Sequence, residues 1–243
     1  MNDIKTLANK TVVVLGGSAG IGLATAKAAA TEGASVIIAS SNQQRINSAL
    51  EQLPQGSKGF AVDLSSEENI KNFFDKIGQF DHLVYTAGEN LVVSDLDKID
   101  LDKSRQFFNL RYWSALAAVK HGSAKINAGG SVTLTSGSGG FRPMKGWVIA
   151  ASICTMMEGL TRALAVELAP LRVNCVMPGF VKTDLWGNIP EADREAMFKS
   201  AGESLPVKHV ASPEEIAQTY LYLIKQTYST GQCVVVDGGG VLA

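Results

Sequence analysis

The chain has 243 residues, 46% of them hydrophobic and 19% charged, with a formal net charge of −1. That length buries a sizeable core and suits a single α/β domain spanning residues 1–243. Near-neutrality gives no basic surface for nucleic acid or an anionic membrane, so neither is expected as a partner. Cys154, Cys175 and Cys233 are scattered, with no CxxC and no zinc spacing, and His82, His121 and His209 form no cluster. No metal site is expected, and the free thiols point to a reducing, cytoplasmic setting. Met1-Asn2-Asp3-Ile4-Lys5 lacks a basic segment followed by an apolar one, so no signal peptide is expected. No uninterrupted apolar run approaches a membrane span.

Taken in order, strand-like and helix-like segments alternate, as repeated βαβ units do. The apolar run Thr11–Leu15 predicts a buried strand. It leads into Leu15-Gly16-Gly17-Ser18-Ala19-Gly20-Ile21-Gly22, and Leu23–Ala30 then predicts a helix. Strands are predicted at Ala34–Ala39, Gly59–Val62, Asp81–Tyr85, Ser131–Thr135, Leu171–Val176 and Cys233–Val236. Helical spacing covers Gln43–Leu53, stopping at Pro54, and a stretch capped by Ser65 or Ser66 that runs to about Ile77. Two long helices are predicted, from about Leu101 to Ile126 and from about Val148 to Leu168. Residues 183–212 are the least patterned and read as a lid or substrate-loop insertion.

In an open parallel sheet, ligands bind beyond the carboxyl ends of the strands. The first strand ends in the glycine turn. Gly16 permits a tight turn, Gly20 lets phosphates approach the backbone, and Gly22 lets helix and strand pack closely. The N–H groups of Gly17, Ser18, Ala19 and Ile21 lie in the same turn, and the helix N-terminus after it suits a pyrophosphate. The second strand ends in Ser40-Ser41-Asn42, where an acidic residue would accept from a ribose 2′-OH. None is present. Ser41 and Asn42 can donate, and Arg45 can pair with a 2′-phosphate, which favours NADP(H) over NAD(H). Asp63-Leu64 falls where an adenine edge is read. Thr86-Ala87-Gly88 leaves room for the ribose-phosphate. Pro178-Gly179, Val181 and Thr183 fall where backbone and hydroxyl would meet the nicotinamide amide.

Together these segments resemble the short-chain dehydrogenase/reductase family over nearly the whole chain. The resemblance rests on the Gly16–Gly22 turn, Asp63, Thr86-Ala87-Gly88, and Asn109 at the active-site asparagine position. It extends to Gly159–Pro170 followed by Leu171-Arg172-Val173-Asn174, then Pro178-Gly179 and Asp237-Gly238-Gly239. It implies a Rossmann-type doubly wound sheet of about seven parallel strands with helices on both faces. It also implies a homodimer or homotetramer, commonly assembled through the two long helices. The family's catalytic tyrosine, its lysine four residues later and its serine fall here on Ala150, Cys154 and Gly137. No tyrosine lies between Tyr112 and Tyr220.

The candidates to replace that machinery are Arg111, Lys145 and Arg142 as cations, with Ser136 and Ser138 as hydrogen-bonding groups beside Asn109. Cys154 reads as a nucleophile or a buried thiol. Lys120 and His121 read as pocket-lining or helix-surface residues. Two kinds of function follow. One is an NADP(H)-dependent reductase of atypical mechanism, transferring hydride to a small carbonyl or an imine or iminium acceptor. The other is a protein without redox catalysis: an NADP(H)-binding sensor or partner subunit whose substrate cavity is filled by Trp147 or Met144, or a cycloaddition-type relative.

Overall fold

The computed structural model describes residues 6–91 and 93–243, so the reading of Met1–Lys5 lies outside the described residues. Seven parallel strands form one sheet: β1 (Thr11–Leu15), β2 (Ser35–Ser40), β3 (Lys58–Ala61), β4 (Phe80–Tyr85), β5 (Ile126–Thr135), β6 (Arg172–Pro178) and β7 (Cys233–Val236). Their order is β3-β2-β1-β4-β5-β6-β7. The chain winds outward from β1 to β3, then returns to place β4 on the other side of β1. That reversal opens a crevice between the carboxyl ends of β1 and β4.

The sheet is buried on both faces, which is why its strands read as continuous apolar runs rather than alternating ones. Val13 and Leu15 point to one face. There α3 (Glu67–Ile77), α5 (Ser114–Gly122) and α6 (Val148–Glu167) supply Phe73, Phe74, Ala118, Met157 and Leu164. Val12 and Val14 point to the other face. There α1 (Gly20–Thr31), α2 (Gln43–Leu50) and α8 (Pro213–Lys225) supply Ala29, Ile46, Ile216 and Tyr220.

Three elements differ from the sequence reading. The helix expected from Leu101 to Ile126 breaks into α4 (Leu101–Phe108), a wide π turn (Asn109–Trp113) and α5, and β5 begins at Ile126. The Ser114 hydroxyl donates to the Asn109 carbonyl at 3.1 Å, holding the turn open. The lid region contains a helix, α7 (Glu191–Ser204), between the short turn Asp184–Trp186 and Leu205. Its apolar residues are dispersed around the helix, so no face stands out in the sequence. Helix α8 has an N-terminal signal that the reading passed over: Ser212 and Glu215 form a reciprocal capping box, with Pro213 following the cap.

Helix α6 is 20 residues long and apolar enough to cross a membrane, with mean hydropathy 1.3. Glu158 and Arg162 interrupt it, so it is not an uninterrupted apolar run of the kind the sequence was searched for. Here α6 lies along β6 and β5, and Met157, Leu160 and Leu164 are buried against the sheet. Its apolar character belongs to that packing.

Candidate active site

The glycine turn is shaped by close backbone approaches. A Cβ on Gly16, which has φ +88°, would lie 2.5 Å from the Ala87 nitrogen. One on Gly22 would lie 2.3 Å from the Gly16 carbonyl oxygen and 2.5 Å from Thr86 Oγ1. One on Gly17 would meet the Ile38 side chain at 2.7 Å. The ends of β1 and β4 are thus pressed together, and Thr86 ties them by donating from its N–H to the Leu15 carbonyl at 2.8 Å. Gly20 differs, for it has φ +51° and its added Cβ would meet only the Thr183 methyl, at 3.3 Å.

Ala19 is the N-cap of α1, and its side chain supplies no acceptor to the first turn. The leading N–H groups of the helix therefore face the crevice without a side-chain cap, as a phosphate site requires. The chemistry of the turn fits a dinucleotide pyrophosphate.

At the adenosine end, Ser18 donates to Ser40 across 2.8 Å, joining the glycine turn to β2. Asn42 caps α2, its Oδ1 accepting from the Arg45 N–H at 3.0 Å. That oxygen is engaged locally, leaving the amide nitrogen as the group able to donate. Ser41 and Arg45 are exposed beside it. Asp63 accepts from the Ser65 hydroxyl and N–H at 2.7 and 2.9 Å, which holds its carboxyl below the usual range. The Leu64 and Val181 side chains are core residues, 5% and 4% exposed, so only their backbones can meet a ligand.

On the nicotinamide side, Pro178 is buried and Gly179 donates to the Val236 carbonyl at 3.0 Å. Asp237 accepts from Gly239 and Val241 at 3.0 and 2.9 Å, closing the chain's end over that strand. Thr183 accepts from the Leu185 N–H at 3.3 Å and places its methyl against Gly20. The lid thus starts on the glycine turn.

The catalytic candidates separate into two groups. Lys145 is 91% exposed and pairs with Asp95 at 3.5 Å. Arg142 donates to the Gly240 carbonyl at 2.9 Å. Lys120 and His121 both reach Glu67, at 2.7 and 2.9 Å, on the outer surface of α3 and α5. The structure brings none of these four to the crevice. Asn109 opens the π turn and donates to the Ser65 carbonyl at 3.3 Å, so its amide faces the loop after β3. Ser136 donates to the Cys154 carbonyl at 2.8 Å, while Ser138 begins the short turn Ser138–Gly140.

Arg111 does reach the crevice. Its guanidinium lies flat between the Gly88 backbone, where an added Cβ would be 2.7 Å from Nη1, and the Phe107 ring, 4.5 Å from its centroid. Nη2 donates to the Glu89 carbonyl. Nε is buried and finds no hydrogen-bond partner among the described residues. Burial pulls the Arg111 pKa down, with the Glu89 carboxylate as the main opposing influence. Arg111 is a cation, since a guanidinium keeps its proton in proteins.

Ala150 is 3% exposed, so the position matching the family's tyrosine is packed shut. Cys154, at the lysine position, sits under Gly137, whose added Cβ would be 3.1 Å from its sulfur. Burial pushes this thiol's pKa up, with the Ser136 hydroxyl and the Arg111 charge acting against it. A buried, protonated thiol makes a poor nucleophile.

An aromatic row runs from the start of α6 to the lid. Trp147 lies 6.1 Å from Phe180, Phe180 stacks on Trp186 at 5.2 Å, and Trp186 meets Phe198 of α7 edge-on at 6.4 Å. This chain of rings fastens the lid to the sheet. Met144 is 48% exposed and fills no cavity. A separate cavity of about 760 Å³ opens along α7, with Lys182, Arg194 and Lys199 beside Glu195 and Glu203. Thr183 is the one predicted site residue among its lining groups.

Sequence reasoning missed Glu89. It follows Thr86-Ala87-Gly88 directly, and an acidic residue beside a glycine at a strand end was the available signal.

Comparison with known proteins bears on the whole chain. The profile described as an SDR-like Rossmann domain matches residues 3–243. The short-chain dehydrogenase/reductase ATR9 of Stachybotrys chlorohalonatus is 36% identical over 252 residues, covering 98% of this chain and 99% of that protein. Among solved structures, a small-chain dehydrogenase in complex with NADPH superposes with a TM-score of 0.87 at 35% identity, over 96% of this chain and 99% of that one. The MalC reductase/Diels-Alderase from Malbranchea aurantiaca superposes with a TM-score of 0.90 at 29% identity, over 98% and 99%.

Proposed function

The chain belongs to the short-chain dehydrogenase/reductase family, and from that premise we propose that it is an NADP(H)-dependent reductase working without the family's tyrosine–lysine pair. Its acceptor is a small carbonyl or imine. The single observation that carries this reading is Arg111, a cation clamped between Gly88 and Phe107 with Nε unpaired beside the crevice. The NADPH complex of the 35%-identical structure supports the choice of cofactor. The Ser40-Ser41-Asn42 strand end with Arg45 supports the phosphorylated form over NAD(H).

When bound, the nicotinamide would supply the hydride. The chain's own residues do the rest. The uncapped first turn of α1 and Gly20 would hold the pyrophosphate, and Asp63 would meet the adenine. The backbone from Pro178 to Val181, with Thr183, would orient the carboxamide. Trp147, Phe180 and Trp186 keep water from the acceptor. As the acceptor's double bond takes the hydride, its electron pair moves onto oxygen or nitrogen, and Arg111 stabilises the density gathering there. A carbonyl oxygen or a neutral imine nitrogen then takes its proton from water. A charged iminium nitrogen needs none.

A second reading has support from the structural likeness to MalC, a reductase/Diels-Alderase. The same clamped cation and aromatic row would orient a diene for cycloaddition. Exposed Trp113, Val148 and Val166 on the π turn and α6 suit the dimer or tetramer that the family commonly forms.

The test is NADPH oxidation with a panel of cyclic imines and ketones. Arg111→Met should cut kcat/KM by about 100-fold, the scale of losing one charge-stabilising group, with NADPH affinity retained. Firm NADPH binding with no oxidation by any acceptor would favour the cycloaddition reading.

A further inference from the structure

Glu89 occupies a junction that the family resemblance does not assign. On its N-terminal side, Gly88 carries the Arg111 guanidinium. On its C-terminal side, Asn90 donates to Asn188 at 2.8 Å and Leu91 donates to the Leu185 carbonyl at 3.2 Å. The residue is therefore held between the clamped cation and the lid. Its Oε2 lies 3.9 Å from Arg111 Nε. That is close enough for strong Coulomb attraction but too long for a hydrogen bond.

We propose that Glu89 sets the charge selectivity of this pocket: its carboxylate offsets Arg111, so the site takes neutral or cationic acceptors and rejects anionic ones. The inference rests on the reductase reading for the identity of the pocket. It stands on the geometry of the pair for its selectivity. Arg111 alone would draw a carboxylate or phosphate to this site, because a partly desolvated guanidinium is the group such anions seek. With Glu89 ionised, the pair is neutral overall, and an entering anion meets a carboxylate of like sign. A 2-keto acid is then excluded, while a ketone, imine or iminium is admitted.

The device is sensitive to pH. Burial raises the Glu89 pKa, and Arg111 pulls it down more weakly. Tyr85, from β4, and Cys154, from α6, also bear on Arg111, and burial pushes both of their pKa values upward, so they stay neutral. The lid contributes uncharged contacts, Asn188 and Leu185. As pH falls, Glu89 protonates earlier than an ordinary carboxyl and Arg111 becomes available to anions.

Benzoate is the probe, followed by calorimetry on the full-length protein between about pH 8 and about pH 5, where it stays ionised. Wild type should bind benzoate about tenfold more tightly at the acid end, the equivalent of one pKa unit of coupling. Glu89→Gln should bind at the acid-end affinity throughout, and Glu89→Asp should keep the pH dependence. Glu89→Gln combined with Arg111→Met should bind weakly at every pH. A wild-type affinity that is flat with pH, or Glu89→Gln no tighter than wild type near pH 8, overturns the proposal. So does benzoate binding that survives loss of Arg111. A separate NADPH titration keeps the two accounts apart. Its failure would sink the reductase reading and leave the benzoate profile standing.

Discussion

The glycine turn after β1 and the stretch from Ser136 to Cys154 lie at the same edge of one sheet, and they are constrained in different ways. In the turn, backbone meets backbone: Gly16 against Ala87, Gly22 against the Gly16 carbonyl. At Gly16 and Gly22 no side chain can be added without moving two strands apart, so the residue type at these two positions is dictated by packing. In the second region, side chains touch side chains or helix surface: Gly137 against the Cys154 sulfur, Gly139 against Trp147. Such contacts can be repacked. One scaffold can thus keep its cofactor turn while the residues opposite it vary.

The contrast predicts where substitutions hurt. Gly20→Trp places an indole where the pyrophosphate would lie, yet meets little else than the Thr183 methyl. NADPH affinity should fall by at least about 1,000-fold, equal to about 4 kcal/mol, with the circular dichroism spectrum unchanged. An affinity within tenfold of wild type would remove the turn from the cofactor site.

Stability should depend on a third place, the sheet interior. His82 is 4% exposed on β4, with Nδ1 2.9 Å from Ser131 Oγ. Burial holds its pKa down at about 4, from 6.5. The unfolded chain therefore binds a proton that the folded chain does not between those values, and stability falls as pH drops through this window. The loss approaches about 3 kcal/mol near pH 4. His82→Asn should remove that part of the acid sensitivity in urea unfolding at about pH 7 and about pH 4.5. Equal pH slopes in both proteins would show His82 to be protonated in the fold.

Gly88→Ala sharpens the comparison, because its methyl strikes the guanidinium rather than backbone. Turnover should drop by about 30-fold as Arg111 is displaced, while NADPH binding changes little. Arg45→Ala is the mildest, weakening NADPH by about tenfold through one lost phosphate pair and leaving NADH unchanged. Equal losses for both cofactors would end the 2′-phosphate assignment.

The central strands were legible because buried parallel strands leave continuous apolar runs, Val12-Val13-Val14-Leu15 above all, while the helices on both faces followed from the family resemblance. The turn was legible because glycine leaves a literal trace. The break at Asn109–Trp113 was not. A π turn keeps helix-forming residues, and its cause is one extra residue per turn rather than a proline or glycine. Lys145 and Arg142 looked suitable from their position before α6, but sequence distance does not say that Asp95 and the Gly240 carbonyl would hold them elsewhere. Glu89 was missed for the converse reason. Its meaning comes from Arg111, 22 residues on, which a Gly88 without a side chain allows to come back over it.

The central claim is that the cofactor half of this site is in use. It is tested most directly by titrating the purified protein with NADPH and, separately, NADH, following nicotinamide fluorescence. The account predicts saturable binding of both, with NADPH tighter by about tenfold or more. Binding of neither would contradict it and return the chain to a scaffold or partner-subunit role.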